Sequence, residues 1–125
     1  MYTLCLRRAF VARHFLTAQG SGSEGLPHSH AYTVELRIGG EDLDEDGYLI
    51  DLRNVERVLA RSIDLFRDRL LNDLPAFTGL NPSLERFCRI LAEEIAGSEG
   101  LDVRAKIEVR LWENENAWAS WSDAN

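Results

Sequence analysis

Cysteine and histidine are both scarce in this 125-residue chain, which has two cysteines and three histidines. Two cysteines, Cys5 and Cys88, do not make a disulfide framework, so a reducing cytoplasm is the expected compartment. No apolar run approaches the roughly 20 residues that span a bilayer, and two early arginines argue against a signal peptide. The net charge of −7 argues against a general nucleic-acid binder. We therefore expect neither nucleic acid nor a membrane as a partner.

Alternating apolar and polar residues predict four main strands, with a further short strand after the second. Residues 2–15 are rich in β-forming side chains, and residues 32–38 alternate more cleanly. Residues 39–50 are interpreted as a turn followed by a short strand. Alternation returns in residues 103–113, and residues 117–121 are typical of a last short strand.

Helical periodicity separates the two pairs of strands. Apolar residues recur at three- and four-residue spacing over residues 52–70, which predicts an amphipathic helix. A second helix is expected to begin with Asn81 at its N-cap and Pro82 at its first position, and Cys88 falls on its apolar side. The order β-β-α-α-β-β predicts a single α+β domain over residues 1–125.

All three histidines lie within one short stretch, and two of them form the pattern His28-x-His30. Residues two apart in a strand face the same side, so both imidazoles can point into one site. His14 ends the preceding strand, and the intervening loop is long enough to bring the strands together. Three imidazoles suit zinc and leave a fourth position for water or substrate. The alternative is three unrelated histidines in loops or partly buried positions.

Several short motifs occur around the histidines in a specific order. The chain resembles the family of 6-pyruvoyl-tetrahydropterin synthase and 6-carboxy-tetrahydropterin synthase over nearly its whole length. The motifs are Phe10-x-Ala12-x-His14, His28-x-His30-x-Tyr32, Asp46-Gly47-x-x-x-Asp51, Leu71-Asn72-Asp73, Pro82-Ser83-x-Glu85 and Trp112-Glu113.

The resemblance implies a fold, a metal and a substrate. The fold is the T-fold (tunnelling fold), a four-stranded antiparallel sheet with two helices packed on one face. Subunits of the family close into rings that stack, which implies a homohexamer, a dimer of trimers, with sites at subunit interfaces. The resemblance further implies Zn²⁺ held by His14, His28 and His30, and a small-molecule pterin substrate, 7,8-dihydroneopterin triphosphate.

Glu113 matches the family glutamate that holds the pterin ring. A pterin presents an edge of N–H donors, and a carboxylate can accept two of them in a bidentate, charge-assisted pair. The alternative is an ordinary surface glutamate at the end of a strand in an acidic protein.

The family's catalytic group is replaced in this chain. Where the family usually has a cysteine, four residues before the His-x-His pair, this chain has Glu24. Where the family has Asp-His before Leu-Asn, this chain has Arg67 and Asp68. Some relatives with glutamate in place of the cysteine are thought to cleave the side chain and release 6-hydroxymethyl-dihydropterin.

Each replacement allows two interpretations. Glu24 is either a general base or a glutamate of a mobile loop; a free glutamate, with a pKa of about 4.3, is a weak base at neutral pH. Arg67 and Asp68 are either a phosphate anchor and a second acid–base group or two solvated charges near a helix end. Arginine itself cannot act as a base at physiological pH.

Three functional hypotheses follow from these residues. The first is a zinc-dependent pterin lyase with altered chemistry. The second is a non-catalytic pterin or purine binder that keeps the zinc and pterin anchors. The third is a zinc-stabilised oligomer whose pocket no longer functions. The sequence favours the first two, since the metal and pterin anchors are both present.

Overall fold

The computed structural model describes residues 1–101 and 106–122 of the chain. Four strands and two α-helices follow one another in the predicted order β-β-α-α-β-β. Their bounds are β1 Tyr2–His14, β2 His28–Gly40, α1 Leu52–Asp64, α2 Leu84–Ala96, β3 Lys106–Asn114 and β4 Ala117–Ser122. The predicted β3 residues 103–105 lie outside the described residues.

The strands form one antiparallel sheet in the order β1-β2-β3-β4. Alternate side chains of β1, β2 and β3 are buried on the face that the helices cover, as the alternation of β2 predicts, whereas the side chains of β4 are partly buried or exposed. Phe10 of β1, Tyr32 of β2 and Leu111 of β3 belong to this core, and Phe87 of α2 packs edge-on against Tyr32. The predicted four-stranded sheet with two helices on one face is confirmed.

The apolar face of α2 is anchored in this core. Cys88 is buried there, as predicted, and its Sγ donates to the carbonyl oxygens of Val109 and Ala119 at 3.4 and 3.5 Å. Burial raises the pKa of the Cys88 thiol to about 11. Because a neutral thiol is a poor nucleophile, Cys88 serves packing and not chemistry.

The start of α2 differs from the prediction. The N-cap is Ser83, whose Oγ accepts a hydrogen bond from Arg86 N at 3.2 Å. Asn81 was the predicted cap, but its side-chain oxygen accepts instead from Thr17 N at 2.8 Å. The tertiary hydrogen bond from Thr17 therefore occupies the Asn81 side chain, which the local capping rule had assigned to the start of the helix.

The end of α1 also differs, because the helix stops at Asp64 and not at residue 70. The chain then turns and runs beside the outer edge of β1. There Asp68 N donates to Val11 O at 2.7 Å, and Arg13 N donates to Arg69 O at 2.8 Å. Hydrogen bonding to β1 replaces continuation of the helix, although Phe66 stays buried as the periodicity requires.

The predicted short strand within residues 39–50 is absent from the structure. Beyond Gly40 the chain forms a turn around Asp44, whose side chain accepts from the backbone N of Asp46 and Tyr48 at 2.9 Å each. Gly47 has a φ of 87°, which favours glycine, as the turn interpretation expects. The local Asp44 bonds satisfy the backbone without a neighbouring strand.

In the described part of the chain, neither helix combines the length and the hydropathy that crossing a membrane requires.

Candidate metal centre

The register of β1 and β2 brings the three histidines together. His14 lies directly opposite His28, and Ala12 lies opposite His30, all on the helix-covered face. Cross-strand neighbours are about 5 Å apart, and small Ala12 leaves room beside His30. One ring nitrogen from each histidine therefore lies within 4.8 Å of the others. The grouping predicted from the His-x-His spacing is present, and it can hold a metal ion.

Backbone carbonyls fix the orientation of two of these imidazoles. His14 Nδ1 donates to Pro82 O at 3.0 Å, and His28 Nδ1 donates to Leu26 O at 2.8 Å. A carbonyl can only accept, so Nδ1 carries the hydrogen in both rings. The two Nε2 atoms then face each other as lone pairs, 3.0 Å apart. Either a proton or a metal ion between the two nitrogens makes such a pair favourable, and carbonyl-oriented neutral imidazoles are a typical zinc donor set.

The protonation of His14 suits the same role. Its side chain is almost fully buried, and this burial lowers its pKa from the ordinary value. The nearby His28 and His30 lower the pKa further, whereas the Pro82 carbonyl and the charge of Glu24 oppose the shift. His14 is thus held neutral at physiological pH, and a neutral ring is the form that binds metal.

Glu113 lies beside the histidines, at an irregularity in the sheet. The pairing of β3 with β4 shifts between Trp112 and Asn114, so Glu113 lies in a β-bulge. Bulges re-aim side chains, often next to functional sites. Its Oε1 lies 3.2 Å from His30 Nε2 and 3.9 Å from His14 Nε2. The carboxylate therefore borders the imidazole cluster directly.

Glu24 lies near the cluster, but among the described residues no hydrogen bond or ion pair joins its side chain to the histidines. It belongs to a short 3-10 turn, Gly22–Gly25, and its carbonyl accepts from Leu16 N at 2.8 Å. Its side chain is exposed, yet its negative charge opposes the lowering of the pKa of His14. The turn is thus tied by its backbone to the segment that follows His14.

Arg67 and Asp68 lie apart from the histidines within one chain. Arg67 Nη2 lies 3.7 Å from Asp64 Oδ1, and Asp68 has a φ of 59° in the turn after α1. Asp68 N donates to Val11 O. Val11 precedes His14 by three residues, and three residues of an extended strand span about 10 Å. Among the described residues, no hydrogen bond or ion pair connects either side chain to the cluster.

Two residues of the ordered motifs, Asn72 and Tyr32, contact the chain at or next to His14. Asn72 Oδ1 accepts from Phe15 N, and its Nδ2 donates to Phe15 O, both at 2.9 Å. Tyr32 is buried with its hydroxyl 3.5 Å from His14 Nδ1. Burial, and then the charge of Glu113, raise the pKa of Tyr32, so it stays protonated. The only signal in the sequence for these roles was their place in the ordered motifs.

Replacing Asn72 with alanine removes both bonds to Phe15. We expect a loss of about 1–3 kcal/mol in the free energy of unfolding, because each bond contributes on the order of 1 kcal/mol. Urea denaturation measures it. Asn54→Ala is the matched control: it removes one exposed hydrogen bond, from Arg57 Nη1 at 3.3 Å, and should change stability by less than about 0.5 kcal/mol. Equal stabilities for the two variants would contradict the role of Asn72.

Comparisons with known proteins agree with this geometry. The sequence model of the family described as "6-pyruvoyl tetrahydropterin synthase" matches residues 3–124. The 6-carboxy-5,6,7,8-tetrahydropterin synthase of Bacillus subtilis is 30% identical over 67 residues, which cover 54% of this chain and 44% of that protein. The match thus spans less than half the length of this curated relative.

Solved structures share the fold at low identity. The 6-pyruvoyl tetrahydropterin synthase of Caenorhabditis elegans superposes with a TM-score of 0.89 at 17% identity, covering 98% of this chain and 96% of that one. The Plasmodium vivax 6-pyruvoyltetrahydropterin synthase, solved as an alanine mutant of a glutamate described as a catalytic residue, gives 0.78 at 16% identity, covering 98% and 97%. The T-fold is therefore established, and with residues 3–124 matched, the chain belongs to the 6-pyruvoyl tetrahydropterin synthase family.

Proposed function

We propose that this protein is a zinc-dependent lyase that processes a pterin, with 7,8-dihydroneopterin triphosphate or a related pterin as its substrate. The observation that carries the proposal is the convergence of Glu113 with the three histidines at one end of the sheet. Membership of the family supplies the substrate class. The residues 1–125 act as one domain in this proposal, with the cytoplasm as its compartment and no nucleic acid or membrane as partner.

The metal and the ring would be held by different groups. His14, His28 and His30 hold zinc, and bound zinc would act as a Lewis acid that lowers the pKa of the substrate's side-chain hydroxyls. Glu113 accepts hydrogen bonds from the N–H edge of the pterin ring. These bonds are charge-assisted, and they orient the side chain of the substrate toward the histidines.

Glu24 is the proposed general base. It stands where the family usually has a cysteine, and in the Plasmodium vivax relative a glutamate is described as a catalytic residue. Its carboxylate is exposed in the single chain, and a solvated carboxylate is a weak base. Burial by the bound substrate or a neighbouring subunit would strengthen it as a base.

Arg67 and Asp68 fit best as contributions to a neighbouring subunit's site. Both lie beside the outer edge of β1, away from the histidines of their own chain. In this proposal Arg67 binds a substrate phosphate and Asp68 is a second acid–base group. A site at a subunit interface would bring them to the pterin, whereas a monomeric enzyme would leave them solvated.

Assembly is therefore a direct prediction. Strands β1 and β4 form the two edges of the sheet in the described part of the chain, and exposed edges favour pairing between copies. We expect a homohexamer, a dimer of trimers, with a light-scattering mass about six times the 14.2 kDa of the chain. A mass near 14.2 kDa at micromolar concentration would contradict it.

Product analysis tests the proposed activity. Zinc-loaded protein is incubated with 7,8-dihydroneopterin triphosphate, and the products are separated by chromatography. Formation of a 6-carboxy, 6-pyruvoyl or 6-hydroxymethyl pterin supports a lyase and identifies which bond is cleaved. Tight binding of the pterin without any product would favour the alternative, a non-catalytic pterin- or purine-binding protein. That alternative is suggested by the replaced residues at Glu24, Arg67 and Asp68.

A further inference from the structure

The carboxylate of Glu113 is held against the ring nitrogens of two candidate metal ligands. Its side chain is 26% exposed, and the ion-pair contacts of Oε1 are His30 Nε2 at 3.2 Å and His14 Nε2 at 3.9 Å. The neutral His14 ring cannot donate from Nε2, because its hydrogen is on Nδ1, bound to Pro82 O. A cation between the lone pair and the carboxylate, either a proton or a metal ion, makes this approach favourable.

The position of Glu113 is fixed by the sheet. The bulge leaves it between two paired residues, Trp112 opposite Trp118 and Asn114 opposite Ala117. Trp112 Nε1 donates to Glu35 Oε1 at 3.2 Å on the other face of the sheet. The backbone on both sides of Glu113 is thus anchored, so its approach to the histidines follows from the fold.

We propose that Glu113 supplies the fourth zinc ligand in the substrate-free protein and that the substrate displaces it. The inference rests on the zinc site of the proposed function. The three convergent imidazole nitrogens would hold the ion, and the Glu113 carboxylate, 3.2 Å from His30 Nε2, would complete the four-coordinate shell that zinc prefers. A closed shell of this kind protects the ion from other ligands until substrate arrives.

Displacement gives Glu113 two successive roles. When a side-chain hydroxyl of the substrate takes the fourth position, one metal–oxygen bond replaces another, and neither electrons nor protons are exchanged. The released carboxylate is then free to accept the N–H groups of the pterin ring. Substrates that carry both a hydroxylated side chain and a donor edge are favoured. The hydroxyl would replace the carboxylate at zinc, and the donor edge would replace zinc as the partner of Glu113.

Metal affinity provides the first test. Protein stripped of metal is titrated with Zn²⁺ against a chromophoric chelator, for wild type, Glu113→Ala and Glu113→Gln. Loss of outer-shell partners already weakens metal binding about 10–100-fold, so we expect loss of this ligand to weaken it at least about tenfold. Glu115→Gln is the matched control, because Glu115 is exposed in the turn that follows β3. This change should leave the affinity for zinc unchanged.

Substitution with Co²⁺ provides the second test, because the visible spectrum of Co²⁺ reports its ligands. We expect the spectrum of Glu113→Ala to differ from wild type and that of Glu115→Gln to match it. Neopterin, which carries side-chain hydroxyls, should change the wild-type spectrum, whereas unsubstituted pterin should not.

The outcomes separate this inference from the proposed function. Wild-type affinity and spectra in both Glu113 variants would overturn the ligand role while leaving the three-histidine site intact. A wild-type spectrum that neopterin does not change would overturn the displacement. A protein that takes up neither Zn²⁺ nor Co²⁺ would overturn the proposed function and this inference together.

Discussion

The His28→Ala, His30→Ala double variant should contain no zinc after purification, whereas the wild type should carry about one zinc per chain. Two of the three imidazoles are removed, and the remaining His14 cannot hold the ion, even with the Glu113 carboxylate beside it. Among the described residues, these three side chains are the group whose ligand atoms converge for a metal. Elemental analysis of both proteins, followed by reloading with Zn²⁺, measures the difference.

A matched control distinguishes ligand loss from unfolding. Asp42→Asn changes an exposed side chain in the acidic turn after β2 and should keep its zinc. Circular dichroism of the histidine variant checks that the sheet is intact. A wild type that is empty and takes up no zinc would show that the site assignment is wrong. Retention of zinc by the double variant would place the ion elsewhere.

Glu24→Gln should lower turnover about a hundredfold or more while leaving zinc and pterin binding nearly unchanged. The change removes a proton acceptor but keeps the size of the side chain, and positioned general bases contribute about 10²–10⁴-fold. The structure supports this separation of effects, because no hydrogen bond or ion pair joins the Glu24 side chain to the histidines in the described part of the chain. A product assay measures turnover, and pterin fluorescence titration measures binding.

The controls for Glu24 lie in its own turn and in β3. Ser23→Ala alters the same 3-10 turn and should keep activity. Glu113→Gln should instead lose pterin affinity by about tenfold or more, because an amide replaces a charge-assisted acceptor. Unchanged turnover in Glu24→Gln would exclude the general-base role. Pterin binding without turnover of any substrate in the wild type would favour the non-catalytic binder.

Local periodicity alone determined much of the fold. The alternation of Tyr32, Val34, Leu36 and Ile38 predicted one buried face of β2, and all four are buried. The same two-residue period placed His28 and His30 on one side of a strand. These inferences hold because side-chain direction in a strand depends only on the backbone repeat. The ordered motifs added the family and with it the T-fold.

Element ends were less predictable, because side chains near them found distant partners. Asn81 fits an N-cap by local rules, but it bonds to Thr17. The apolar period after Asp64 resembles a continuing helix, yet the backbone of residues 68–69 bonds to β1. A local pattern cannot show when a tertiary hydrogen bond competes with a helical one.

Only the tertiary structure decided how the candidate site is assembled. Three features join residues far apart in the chain: the register that places His14 opposite His28, the approach of Glu113 to His30, and the carbonyl of Pro82 that orients His14. The sequence by itself determined which groups can bind zinc and a pterin, because that depends on side-chain chemistry. Their distances depend on strand pairing and loop packing, which arise when the whole core closes.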